Sequence, residues 1–342
     1  MKKPLRLLSC ALALGLAAAV PSVVPGAQAK ESKRYPGLPQ IYAKDYSVSD
    51  TEAVATSVGL GESLRARQYF RLPVTSLRAI SGTDEEGWVD TTCTRQPPFS
   101  NRMDFVIPVW AAAGSNGHGL GYFPELTVRS VAFGSIPVEV HLEISQTIRP
   151  EDGFPTPLMA STKTYVVCSL DTMPAEYVAE YGRHADGISD QLNSDSKLTG
   201  DVNIRVTALA VDGVSVPVGT HCSTTKPASL NLSAADWWMS DVPKAEQPSG
   251  AWKARKKSKY YLATDGGPMS GNISIPSFSG CASGADDVSA VITSAVSGAE
   301  NPVEIYQSVI NSGSMCDASG KRDAATILRC AGAADPFEYP AK

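Results

Sequence analysis

Histidine is scarce in this 342-residue chain, which has only His118, His141, His184 and His221. None of them lies near a GxSxG elbow and there is no HExxH, so neither a nucleophile-elbow hydrolase nor a zinc peptidase is spelled out. No two cysteines have CxxC spacing and none sits near a pair of histidines, which argues against a structural zinc site; no metal and no cofactor is expected. A basic excess is lacking too, the formal charge being −5. Without one, a protein has little to hold phosphate backbones with, and nucleic acid is not an expected partner. Beyond Val20 no apolar run approaches the ~20 residues that a membrane span needs.

What is present points outward from the cytoplasm. Lys2, Lys3 and Arg6 precede an apolar run from Leu7 to Val20 and then Ala27-Gln28-Ala29. That order of charge, apolar run and small residues reads as a secretory signal peptide over residues 1–29, cleaved after Ala29. Cys10 superficially resembles an acylation site, but most of the apolar run follows it, and lipidation is the weaker reading. Losing this segment removes three basic and no acidic residues, moving the formal charge from −5 to −8. Cys93, Cys168, Cys222, Cys281, Cys316 and Cys330 remain, and an even number in an exported chain reads as a disulfide framework. The preferred pairs are Cys281 with Cys316 and Cys168 with Cys222, leaving Cys93 with Cys330.

The texture is that of short strands and turns, rich in Val, Thr, Ser, Gly and Pro. Residues 30–87 read as an N-terminal arm or lobe, with Ser49 and Glu52 forming a capping-box pattern for a short helix over Asp50–Gly59. Residues 88–200 read as β-rich. Val138, Val140, Leu142 and Ile144 alternate with Glu139, His141, Glu143 and Ser145, the period of a half-buried strand. Thr172 and Pro174 start a short helix, and Gly182–Gly200 reads as a long surface loop. Residues 201–342 read as a C-terminal β-sandwich region that could form one domain with 88–200. Its amphipathic helix falls within Ser283–Ser297, with Val288, Val291, Ile292 and Ala295 on one face.

The strongest local signal is Val211-Asp212-Gly213-Val214. Asp-Gly between two β-branched runs is a two-residue hairpin turn, which needs φ > 0 at both central positions. Counting back pairs Val211 with Val214 and Leu209 with Val216. Val202, Ile204 and Val206 lie on the opposite parity, so either both faces are covered or a bulge near Thr207-Ala208 shifts the register.

From this hairpin onward, GVSVPVGTHCSTTKP, GGPMSGNISIPSFSGC, the helix containing Ala-Asp-Asp, and SGAENPVEIYQ resemble uncharacterised exported proteins of actinobacteria, over about Val202–Cys316. The resemblance implies an extracytoplasmic, immunoglobulin-like antiparallel β-sandwich and brings no catalytic residues with it. Where such relatives often read GPGN, this chain has Gly298-Ala299-Glu300-Asn301.

Several side chains have chemistry to offer. Glu139, His141 and Glu143 share one strand face at about 6.6 Å spacing, enough to begin a cation site only with a ligand from a neighbouring strand; a solvated sheet face is the plainer reading. Trp237-Trp238 could stack on a sugar or a membrane interface, although neighbouring aromatics face different ways and one should anchor the core. The basic run Lys253, Arg255, Lys256, Lys257 and Lys259 could hold anionic envelope polymers or be a solvated loop. Asn231 and Asn272 form sequons, meaningful only in a glycosylating host.

The reading of the whole is a mainly β, disulfide-stapled, exported protein, more a binder or structural element than an enzyme. It would act free in the medium or at the cell envelope on an unidentified envelope component or extracellular protein, through Gly114–Gly119, Gly182–Gly200 and Pro248–Lys259. The alternative is a secreted hydrolase whose Ser, His and acid come together only in the fold.

Overall fold

Alternation of apolar and polar residues sends every second side chain to one face of a strand, and a sheet that buries one face can do so by closing on itself. The computed structural model describes residues 47–83, 87–111, 120–132, 136–151, 153–185, 190–242, 260–262, 266–283, 286–307 and 311–312, all within the compact unit Gly37–Lys342. Ten strands dominate them. They are β1 (Ser47–Ser63), β2 (Gln68–Thr83), β3 (Phe99–Ala111), β4 (Leu126–Ala132), β5 (Ile136–Gln146), β6 (Leu158–Val167), β7 (Gln191–Val211), β8 (Ala228–Ser233), β9 (Gly267–Ile275) and β10 (Gly298–Gln307). Two short helices accompany them, α1 (Ala175–Tyr181) and α2 (Ser289–Val296).

The mainly β, antiparallel class expected from the sequence is observed. Beyond that class, the pairings establish a closed ring rather than the two separate sheets of an immunoglobulin-like sandwich. Each of β1, β2, β3, β6, β7, β8, β9 and β10 pairs antiparallel with the next, and β10 returns to β1. Residues 47–83, 99–200 and 201–307 all contribute strands to this ring. One row of directly opposed residues runs Ile107, Ala160, Leu198, Leu232, Gly271, Val303, Gly61, Phe70 across all eight strands. It comes back to β2 at Phe70, whereas β3 meets β2 much further along, at Ala79 opposite Val109. That stagger is the strand tilt that closing a barrel requires.

The row faces inward. The adjacent row, Ser161, Lys197, Ser233, Ser270, Glu304, Leu60, Arg71, faces outward and is mostly polar. Apolar inside and polar outside is the reverse of a membrane-spanning barrel, whose outer band is apolar. No helix among the described residues is long and apolar enough to cross a membrane. At Gly61 a Cβ would lie 2.4 Å from the Phe70 ring, so the glycine gives the aromatic its place on the inner wall.

Past the ring, β7 continues as one edge of an extension in which β5 pairs with it and β4 with β5. The bulge expected at Thr207-Ala208 is present: His141 opposes Ala208 and Leu142 opposes Val206, leaving Thr207 unopposed. The Asp-Gly turn has φ of 51° and 76° at Asp212 and Gly213, and Val211 pairs with Val214 and Leu209 with Val216 as counted.

Three expectations are corrected. Asp50–Gly59 belongs to strand β1, where Ala55, Gly59 and Gly61 are buried small residues and a register shift lies between Ser57 and Gly59; two glycines so close are poor helix formers. Gln191–Gly200, read as loop, is the first half of β7, because Asn193 and Ser196 are buried polar residues that break the apolar pattern. The disulfides are Cys93–Cys168 and Cys222–Cys281. Pairing of β3 with β6 brings Cys93 to Cys168, and pairing of Ser223 with Ser279 brings Cys222 to Cys281, contacts of which the cysteine spacing gives no hint. Cys316 and Cys330 lie outside the described residues, as do the expected signal peptide and Gly114–Gly119.

Candidate ligand-binding cavity

The inner wall of the ring is not filled along its whole length. A cavity of about 150 Å³ opens inside it, lined by residues including Val109, Leu158, Leu198 and Val303 at depth and Leu72, Phe123, Ile144 and Ile275 towards one end. The deep residues are buried, while the outer four are half-buried. Among the described residues no charged side chain and no histidine touches it, and its polar lining is Ser57, Thr75 and Gln307. The Thr75 hydroxyl donates to Pro73 O at 3.1 Å. The Gln307 amide oxygen accepts from the Tyr261 hydroxyl at 3.3 Å, and burial pushes that phenol well above its ordinary pKa, so it stays a neutral donor.

A small polar framework holds the cavity's wall. Gln146, fully buried, donates from its amide nitrogen to Val109 O at 3.0 Å and Thr156 O at 2.9 Å, while its oxygen accepts from Ala111 N at 3.0 Å. Phe123 N donates to Ile144 O at 3.0 Å, fixing the segment that bears Phe123 and Pro124 against β5. The Cys222–Cys281 disulfide stands at this end of the barrel, since Cys222 O accepts from Val206 N, two residues beyond the lining residue Ile204.

The opposite end is packed shut. Cys93, Val167, Cys168 and Met173 form a second core, against which Phe99, Tyr177, Tyr181 and Trp238 pack. Inside the ring at this end the buried residues turn polar: the Thr164 hydroxyl donates to Asn193 Oδ1 at 2.8 Å and Thr162 and Ser196 share a hydrogen bond of 3.0 Å. Trp237 is buried and donates to Tyr261 O at 2.7 Å, while Trp238 stacks on His184 with ring centroids 3.7 Å apart. Of the tryptophan pair, one does anchor the core, and the other is committed to a histidine.

His184 also meets the residue types of a hydrolytic triad. Its Nδ1 lies 2.6 Å from Asp190 Oδ2 and 3.4 Å from Ser240 Oγ, and its Nε2 accepts from Arg183 Nε at 2.9 Å. In a Ser-His-Asp relay the acid and the nucleophile occupy different ring nitrogens. Here both stand at Nδ1, the second nitrogen faces a guanidinium, and the ring is 3% exposed. The cluster ties the chain after α1 to Ser240. Burial pushes the Asp190 pKa up, but hydrogen bonds from Ser240, His184 and Gln191 outweigh it and hold the carboxyl below its usual range.

The Glu139, His141, Glu143 face is split up. Glu143 makes two hydrogen bonds, 3.0 and 2.9 Å, to the Arg205 guanidinium. His141 sits between Glu125 at 2.8 Å and Glu139 at 3.1 Å. Hydrogen bonding to Glu125, with Glu139 adding to it, raises the imidazole pKa. Among the described residues no cluster of three or more His, Cys, Asp or Glu side chains is arranged to hold a metal ion. His221 is exposed. His118 and the basic run Lys253, Arg255, Lys256, Lys257 and Lys259 lie outside the described residues.

Sequence reasoning missed the cavity, although its half-buried wall was visible as the inward residues Leu142 and Ile144 of β5. Compared with known proteins, the chain matches no family model, no curated protein and no solved structure. The fold and the site therefore define a class by themselves: a disulfide-bonded antiparallel β-barrel with an apolar interior cavity.

Proposed function

We propose that this is an exported binding protein, free or at the cell envelope, that holds a small apolar molecule inside its barrel without transforming it. The observation that supports this reading is the uncharged cavity within a closed eight-stranded ring. Eight-stranded barrels are wide enough to hold one small ligand, and mostly apolar, largely preformed cavities are the usual form of small-molecule sites. Two disulfides suit an oxidising, extracytoplasmic compartment.

The test is titration of the full oxidised chain with the environment-sensitive dye N-phenyl-1-naphthylamine. Saturable one-site enhancement of fluorescence is expected, reduced at least tenfold in affinity by Ile275→Trp, which fills the outer part of the cavity, and unchanged by Val214→Ser on the exposed tip of the extension. Binding unaffected by Ile275→Trp would place the apolar site elsewhere and defeat the proposal.

A further inference from the structure

The three polar residues of the cavity lining are set side by side. Thr75 on β2 directly opposes Ser57 on β1, and Ser57 directly opposes Gln307 on β10. Side chains opposed in this way stand about 5 Å apart, so the three form one short polar row across adjacent strands. Strand β7, four steps round the ring from β1 in either direction, lines the cavity with Leu198, Val202 and Ile204 alone. A molecule held there meets hydrogen-bonding groups on one side and hydrocarbon on the other.

The hydrogen bonds already made in the row decide what it still offers. The Thr75 hydroxyl gives its proton to Pro73 O at 3.1 Å, which leaves its oxygen as an acceptor. The Gln307 amide oxygen takes the Tyr261 hydroxyl proton at 3.3 Å and, like any carbonyl oxygen, has a further lone pair. The Ser57 hydroxyl can turn either way. The row is therefore richest in acceptors, and its complement is an O–H group. Among the described residues no charged side chain lines the cavity, so an ionised group inside it would have no counter-charge and would be strongly disfavoured. Volume sets the last limit: about 150 Å³, walled by leucine, isoleucine and phenylalanine, takes a single benzene-sized ring.

From these observations we propose that the ligand is a compact neutral ring bearing a hydroxyl, a phenol or an alicyclic alcohol, seated with its O–H on the row of Thr75, Ser57 and Gln307 and its hydrocarbon against β7. The inference rests on the reading of the barrel interior as the binding site, and goes further in naming the ligand's size, charge and polar group. On this geometry N-phenyl-1-naphthylamine enters by its phenyl ring, with the rest of the dye at the open mouth.

Calorimetric titration of the full oxidised chain with phenol, toluene and anisole reads the inference directly, since these rings differ only in carrying a hydroxyl, a methyl or a methoxy group. One-site binding of phenol is expected. Thr75→Val should weaken it about fivefold, the loss of one hydrogen bond, and leave the other two rings, which have no O–H to give, within about twofold. Ser57→Ala, the gentler change, should act on phenol in the same direction. Cyclohexanol forms the second arm: binding by the phenol, the alicyclic alcohol or both, with this dependence on Thr75, supports the inference and identifies the kind of ring. Naphthol tests size, and should bind no tighter than phenol in spite of its larger apolar surface. Phenol affinity untouched by both variants would overturn the role of the polar row, and naphthol binding about tenfold tighter would overturn the size. Failure of phenol and cyclohexanol to bind, while the dye still binds and responds to Ile275→Trp, would overturn the inference and leave the apolar-site reading standing. Failure of the dye and of every ring to bind would overturn both.

Discussion

The two ends of the barrel solve the problem of a sheet's inner face differently. One end fills it, with a disulfide, a cluster of aromatics and buried hydrogen-bonded hydroxyls and amides. Among the described residues the other is left open, lined by half-buried aliphatic and aromatic side chains. Packed interiors contribute stability through dispersion and burial, and a gap gives up part of both. The difference teaches where a guest has room: the closed end is packed through, and the open end keeps a gap inside its own core. Substitutions at the closed end should therefore change stability and leave binding by the folded fraction alone.

The largest effect should come from Trp237→Ala. Removing a buried indole typically costs about 3–5 kcal/mol, and here the hydrogen bond to Tyr261 O is lost as well. Urea unfolding measures the loss, and dye affinity per folded molecule should not change. A drop in affinity larger than threefold would show that the two ends are coupled and erase the contrast between them.

Next comes the covalent tie at the same end. Replacing Cys93 and Cys168 together by Ser should cost about 2–4 kcal/mol, chiefly by freeing the unfolded chain. Mass mapping of the intact protein should return peptides linking Cys93 to Cys168 and Cys222 to Cys281; a peptide linking Cys168 to Cys222 would contradict the fold itself.

How much of this was legible beforehand depended on whether the signal was local. The hairpin at Asp212-Gly213 and the bulge at Thr207 could be read because turn chemistry and side-chain parity are set by neighbouring residues. So could helix α2, whose first turn has Ser289 N donating to Asp287 Oδ1 at 2.9 Å. Strand β1 was obscured because its inner face is made of Ala55, Gly59 and Gly61, which make room for Phe70 and neighbours instead of supplying an apolar pattern of their own. The disulfide partners and the cavity were out of reach because all depend on pairing between segments distant in sequence: Cys93 meets Cys168 where β3 pairs with β6, Cys222 meets Cys281 where Ser223 pairs with Ser279, and the cavity needs β10 joined to β1. His184, Asp190 and Ser240 have the residue types of a triad, yet the fold sets Asp190 and Ser240 at one and the same ring nitrogen, an arrangement that residue types alone do not reveal.

That cluster supplies a smaller prediction. Asp190→Asn weakens a charge-assisted bond to His184 Nδ1 and should cost about 1–3 kcal/mol near neutrality. The folded-state pKa of Asp190 is depressed, so its contribution is fully present above the ordinary carboxylate range near 3.9 and is lost as pH falls through that range towards the folded value. The stability gap between wild type and variant should accordingly close in acid. A gap independent of pH down to acid unfolding would mean that the carboxylate's charge is not what secures His184.

The smallest effect belongs to the open end's outer surface, and it has the opposite sign with pH. His141 is held by Glu125 and Glu139 on a face where all three side chains are partly exposed, so solvent screens the pairs and His141→Gln should cost less than about 1 kcal/mol. Its folded-state pKa is raised. The contribution is therefore fully present below the unfolded histidine value near 6.5 and disappears as pH rises through the folded one. Urea midpoints of wild type and variant should differ slightly at pH 5.5 and coincide in mild alkali. Since β5 also supplies Leu142 and Ile144 to the cavity wall, dye affinity compared at the same two pH values sharpens the contrast between surface and interior. An uncharged cavity should bind equally at both, whereas an affinity that follows His141 would show the outer face of the strand acting on the inner one.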